Sequence, residues 1–105
     1  MGKITVVNKY KEPNHIYCGR GTPLGNPFVM HNESERNYVC DAYEDWFADI
    51  VHSPNRTSPA LLMLRKVFQE ALKGDINLGC FCAPKRCHCD TIKSFIQGKL
   101  LIVGR

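Results

Sequence analysis

Nowhere in this chain does an apolar run approach the roughly 20 residues a helix needs to cross a bilayer. The apolar segment behind Met1-Gly2-Lys3 is also too short for the core of a signal peptide. These two absences predict a soluble, cytoplasmic protein with no membrane partner. Repeats, linkers and low-complexity tracts are missing as well. So is any block of like charge: 14 Lys and Arg are scattered among 10 Asp and Glu, for a net charge of +4. That balance favours anionic ligands and permits nucleic acid without demanding it. An apolar fraction of 44% and a charged fraction of 23% belong to a globular chain, not a disordered one. The 105 residues suffice for one core and not two, so residues 1–105 read as a single domain.

What the chain does have is cysteine, six in all, of which four fall in Cys80-Phe81-Cys82-Ala83-Pro84-Lys85-Arg86-Cys87-His88-Cys89-Asp90. In a reducing compartment such a cluster points to metal binding, a tuned thiol or a ligand-contacting loop, not to disulfides. A second unusual stretch is Gly19-Arg20-Gly21-Thr22-Pro23-Leu24-Gly25-Asn26-Pro27-Phe28, where three glycines and two prolines exclude regular structure.

The rest of the pattern places these loops. Ile4-Thr5-Val6-Val7 is β-branched and apolar, a short buried strand, and His15 to Cys18 is a second extended candidate. From Glu35, Val39, Tyr43, Trp46, Phe47 and Ile50 recur at helical spacing behind Ser34 as N-cap. Ser58-Pro59 starts a second helix whose face carries Leu61, Leu64, Phe68 and Leu72, and Gly74 suits its end. Ile76 to Cys82 reads as a strand. Asp90 caps a last helix with Ile92, Phe95 and Ile96 inward, closed by Gly98 before a final strand or tail at Leu100-Leu101-Ile102-Val103. The order predicts a small single-domain α/β fold, a mostly parallel sheet with about three helices packed on it.

In open parallel sheets, ligands gather beyond the carboxyl ends of strands. Both loops follow strands, so both should open on one edge, with Arg20 and His88 on the order of 10 Å apart. Gly19 and Gly21 would let backbone approach an anion, and Arg20 offers a fork matched to phosphate or carboxylate. The cysteine loop allows three chemistries. Cys80 and Cys82, two apart on an extended segment, could share a zinc ion with Cys87 and His88. Alternatively Cys87 is a nucleophile activated at a helix N-terminus, with His88 and Asp90 handling protons. In the third reading, helix N-terminal amides with Lys85 and Arg86 cradle a phosphate, and the cysteines merely pack.

Those two loops, with Arg36, Tyr43 and Trp46 between them and Gly79-Cys80-Phe81-Cys82-Ala83-Pro84, Cys87-His88 and Asp90 after them, resemble a family of small bacterial and phage proteins known as DUF4326. The resemblance spans nearly the whole chain. It departs at Cys89, where the family pattern usually has glycine. What it implies is a compact α/β domain, frequent in phage genomes, and no particular reaction. The cysteine loop also looks like that of a second family, DUF488, with a similar Cys-His pair before its last helix.

The functional expectation is a protein, phage-associated and in the host cytoplasm, that binds an anionic small molecule, a nucleotide or nucleoside derivative. Gly19, Arg20, Gly21, Asn26 and Arg36 would hold it, and hydrolysis or transfer at a glycosidic or phosphate bond would suit the site, with no cofactor required. The rival expectation is a zinc-stabilised interaction module that binds a host protein or nucleic acid.

Overall fold

The computed structural model describes residues 2–103. Strands β1 (Ile4–Asn8) and β2 (Ile16–Tyr17) are followed by the long glycine loop, then helices α1 (Arg36–His52) and α2 (Pro59–Lys73), strand β3 (Ile76–Cys80) and helix α3 (Cys89–Val103). The sheet order is β1-β3-β2 and every pairing is parallel. Asn8 faces Cys80 in one ladder and Tyr17 faces Gly79 in the other, so all three strands end on the same edge. That edge carries both unusual loops. The expected small α/β fold with a parallel sheet and three helices is the observed one.

Local chemistry explains most boundaries. Ser58 Oγ accepts from the Leu61 amide with Pro59 in the first turn of α2, as expected from the sequence. The start of α1 differs from expectation. Asn32, not Ser34, is the capping side chain: its Oδ1 accepts from the Ser34 amide and opens a single 3₁₀ turn, Glu33–Glu35, before the α-helix begins. Glu35 folds back to accept from the His31 amide. Ser34 does not cap because its own hydroxyl turns back to donate to Asn32 Oδ1.

The core joins Ile4 and Leu78 of the sheet to Tyr43 and Phe47 of α1, Leu61, Leu64, Val67 and Ala71 of α2, and Ile92 and Ile96 of α3. On α2 the buried stripe runs through Val67 and Ala71, leaving Phe68 half-buried and Leu72 exposed. The expected stripe was rotated by about one position. Each full burial of such a side chain is worth about 1.5–3 kcal/mol.

The final strand expected at Leu100–Val103 does not form. α3 runs through Gly98 to Val103, and Leu100, four residues after Ile96, is buried on the same face. A mid-helix glycine costs only about 1 kcal/mol against alanine, which burial of Leu100 offsets. Leu101, Ile102 and Val103 are exposed. No helix among the described residues is long and apolar enough to cross a membrane.

Candidate functional site

The glycine loop is two nested turns. Gly19 O accepts from both the amide and the hydroxyl of Thr22, and Thr22 O accepts from the Gly25 amide. Gly21 sits at φ +90°, a conformation that L side chains rarely adopt. Leu24 is buried beneath, and its carbonyl accepts a 2.7 Å hydrogen bond from the buried Tyr43 hydroxyl. Asn26 closes on its own loop, with Oδ1 accepting from the Phe28 amide. The cysteine loop is held from the other side: Asn8 Nδ2 donates to the carbonyls of both Phe81 and Ala83.

Between the two loops lies a cleft of about 100 Å³, lined by Arg20 and Asn26 from the first, by Cys80, Cys82, Cys87 and His88 from the second, and by Arg36 from α1. Arg20 and His88 therefore share one site. Phe28, Met30 and Phe81 give it an apolar rim. A pocket that encloses a whole drug-sized ligand measures about 300–1,000 Å³, so this cleft has room for a single group only. Gly21 and Asp90 do not line it. Gly21 faces solvent, while Asp90, in the first turn of α3, accepts from the Cys87 amide. The helix begins one residue earlier than the expected Asp90 start because the Cys87 and His88 carbonyls already accept from the Asp90 and Thr91 amides.

The cations sort themselves. Arg36 forks onto Glu33, Nε to Oε2 at 2.8 Å and a terminal nitrogen to Oε1 at 2.7 Å, and donates to Arg86 O at 2.9 Å. Glu33 also pairs with Lys85. Arg36 and then Lys85 hold the Glu33 carboxyl down to about 2. Arg86 is taken by Asp41, Glu44 and Asn37. Arg20 has no acidic partner among the described residues, only the Phe28 carbonyl at 3.5 Å. The Lys85-Arg86 pair and the α3 amides, expected to cradle an anion, are thus committed within the protein, and Arg36 is largely so. Arg36→Ala should cost about 1.5–3 kcal/mol, the usual worth of a hydrogen bond to a charged group. Arg20→Ala should leave the melting temperature nearly unchanged, and thermal melts of the two variants side by side check the contrast.

His88 is buried, and its Nε2 lies 2.6 Å from Cys18 O. A carbonyl only accepts, so Nε2 carries the proton and Nδ1 keeps its lone pair. Burial pulls the imidazole below its ordinary range, favouring the neutral ring. Tyr43 stacks edge-on at 5.1 Å.

The thiols divide into two groups. The Sγ atoms of Cys80, Cys87 and Cys89 all lie within 4.8 Å of one another, buried, an arrangement that can hold a metal ion. Hydrogen bonds from Cys87 and then Cys89 favour the Cys80 thiolate. In return Cys80 pushes the Cys87 thiol up, and Cys18 followed by Cys80 does the same to Cys89. Cys82 lies outside this cluster, half-buried beside the Arg36 guanidinium. The metal set expected from the sequence, Cys80, Cys82, Cys87 and His88, is corrected on two members. β3 ends at Cys80, so Cys82 no longer alternates with it, and His88 Nε2 is engaged by Cys18 O. Cys89 takes their place. Sequence reasoning also passed over Asn8, Glu33 and the Tyr43 hydroxyl. Only Glu33 left a signal, three residues before Arg36 at helical ion-pair spacing.

A parallel-sheet edge bearing an arginine cleft and a buried thiol cluster defines a small α/β protein with a narrow cleft between two irregular loops. The chain belongs to DUF4326, described as a domain of unknown function, whose model matches residues 5–98. It is 33% identical over 92 residues to the "Uncharacterized 12.4 kDa protein in nrdA-td intergenic region" of Enterobacteria phage T4, an alignment covering 88% of this chain and 76% of that protein. No solved structure matches.

Proposed function

We propose that the protein binds a small anionic molecule, a nucleotide or nucleoside derivative, in the host cytoplasm, with its phosphate seated in the cleft. One observation carries this reading: Arg20 is the cleft-lining cation without a carboxylate partner among the described residues. A guanidinium left open in a concave site supplies fork-shaped donors to a phosphate. A cleft of this size would take the phosphate alone, with the nucleoside lying across the apolar rim of Phe28 and Phe81. Asn26 and Gly19 line the same cleft. His88 lines the cleft as a neutral ring whose Nδ1 lone pair would accept a proton from water or from a sugar hydroxyl. Hydrolysis or transfer at a phosphate or glycosidic bond is the chemistry this pair could serve. Cys87, buried and with its thiol pushed up, is poorly placed as the nucleophile.

The test is a thermal-shift series with orthophosphate, nucleoside mono-, di- and triphosphates and unphosphorylated nucleosides. Phosphorylated ligands should raise the melting temperature, because binding to the native state stabilises it by mass action. Nucleosides alone should not. Arg20→Ala should abolish the shift, at least a tenfold loss of affinity for about 1.5–3 kcal/mol of charge-assisted contact. No shift with any anion, or an unchanged shift in Arg20→Ala, would sink the proposal.

A further inference from the structure

Beneath the cleft, four cysteines from three separate elements come together. Cys18 follows β2, Cys80 ends β3, Cys87 precedes α3 and Cys89 is its first residue. Their residue exposures are 0%, 1%, 3% and 0%, and all four are free thiols. Cys80 and Cys87 bring their sulfurs to 2.9 Å. The amide of Cys18 and the thiol of Cys89 both reach Gly79 O, at 3.0 and 3.9 Å, and the Cys18 thiol donates to Ile16 O at 3.6 Å. A buried cysteine ordinarily packs as a small hydrophobe among carbon neighbours. These four instead turn toward sulfur and backbone polar groups.

We propose that Cys80, Cys87 and Cys89, with Cys18, buried but outside the 4.8 Å group of sulfurs, as fourth donor, form a binding site for a thiophilic divalent cation, zinc, that ties the ends of β2 and β3 to the start of α3. Tetrahedral zinc with bonds of about 2.3 Å sets its sulfurs about 3.8 Å apart. The observed span, from 2.9 Å to within 4.8 Å, brackets that spacing. An outer contact suited to a thiolate ligand is in place. The Cys89 amide donates to Cys87 Sγ at 3.3 Å. Such donors orient ligands and tune the ion. On binding, each ligating thiol gives its proton to solvent and its lone pair to the ion, with no change of oxidation state. The donor set is soft and sulfur-only, which selects zinc over magnesium or calcium. The site shares Cys80 and Cys87 with the wall of the cleft.

The test uses the full chain purified under reducing conditions, with metal content by mass spectrometry and cobalt(II) titration of the metal-free protein. The native chain should carry about one zinc, and cobalt should give a thiolate charge-transfer band. Cys89→Ser should reduce bound zinc to background, whereas Cys82→Ser and Cys40→Ser, outside the cluster, should keep it. Cys18→Ser should retain a weaker, three-thiolate cobalt spectrum. Circular dichroism on each variant separates loss of the site from loss of the fold. A reduced, folded native chain that takes neither zinc nor cobalt overturns the proposal. So does a Cys80–Cys87 disulfide whose reduction restores no metal binding, or metal lost from Cys82→Ser and retained by Cys89→Ser.

Discussion

Replacing Tyr43 with alanine should cost about 3–5 kcal/mol, the usual range for emptying a large aromatic site in a core. Folded domains have only about 5–15 kcal/mol in total. Tyr43 is fully buried, stacked against Trp46 and Phe47 on its own helix and edge-on to His88. Its hydroxyl donates to Leu24 O across the gap to the glycine loop. One side chain therefore couples α1 to both loops of the cleft. Tyr43→Phe separates the two roles, because it keeps the ring and strands the Leu24 carbonyl, at about 1–3 kcal/mol for an unsatisfied buried acceptor. Denaturant melts should show a lower midpoint with an unchanged slope in Tyr43→Phe. Hydrogen exchange should show faster exchange in the glycine loop specifically. Unaltered protection there would mean that the loop is held by its own turns and not by Tyr43.

The parts of this fold that could be read in advance were those that local chemistry decides. A β-branched run, a Ser-Pro start and helical spacing of large apolar residues each carry their own signal, and β1, α2 and most of α1 follow them. The C-terminal run Leu100 to Val103 carries no such signal. Four consecutive apolar residues suit a strand or a helix equally, and the decision rests on Leu100 finding the core one turn beyond Ile96. The site divides in the same way. That the glycine and cysteine loops share an edge follows from their each succeeding a strand of one parallel sheet. Which thiols meet does not follow, because it depends on where β3 stops. Had the strand continued to Cys82, the alternation argument would have put Cys80 and Cys82 on one face. It stops at Cys80, and the chain turns to hand the inward positions to Cys87 and Cys89. The neutralisation of Arg86 by Asp41 and Glu44 was equally invisible, since pairs 42 to 45 residues apart are made by the fold.

Gly25→Ala should disable the cleft while leaving the protein folded. A Cβ at position 25 would lie 2.4 Å from Gly19 O and 3.1 Å from Thr22 O, both backbone atoms of the same loop. No rotamer change relieves a clash with backbone, so the two nested turns must open. Gly19 O would then lose its hydrogen bonds from Thr22, and Arg20, which follows Gly19 directly, would be displaced from the cleft. Overpacking of this kind costs about 1–3 kcal/mol, yet Gly25 lies outside the apolar core and the sheet should persist. Gly21→Ala is the control. A Cβ there meets nothing within 4 Å, and only the φ of +90° opposes it, at about 1–2 kcal/mol. The two variants should thus lose comparable stability and differ in function. Phosphate-dependent thermal stabilisation should fall at least about tenfold in apparent affinity for Gly25→Ala and stay near that of the native chain for Gly21→Ala. Equal binding losses in the two would show that flexibility of the whole loop governs the site, and not the approach of Gly25 to Gly19 that fixes the position of Arg20.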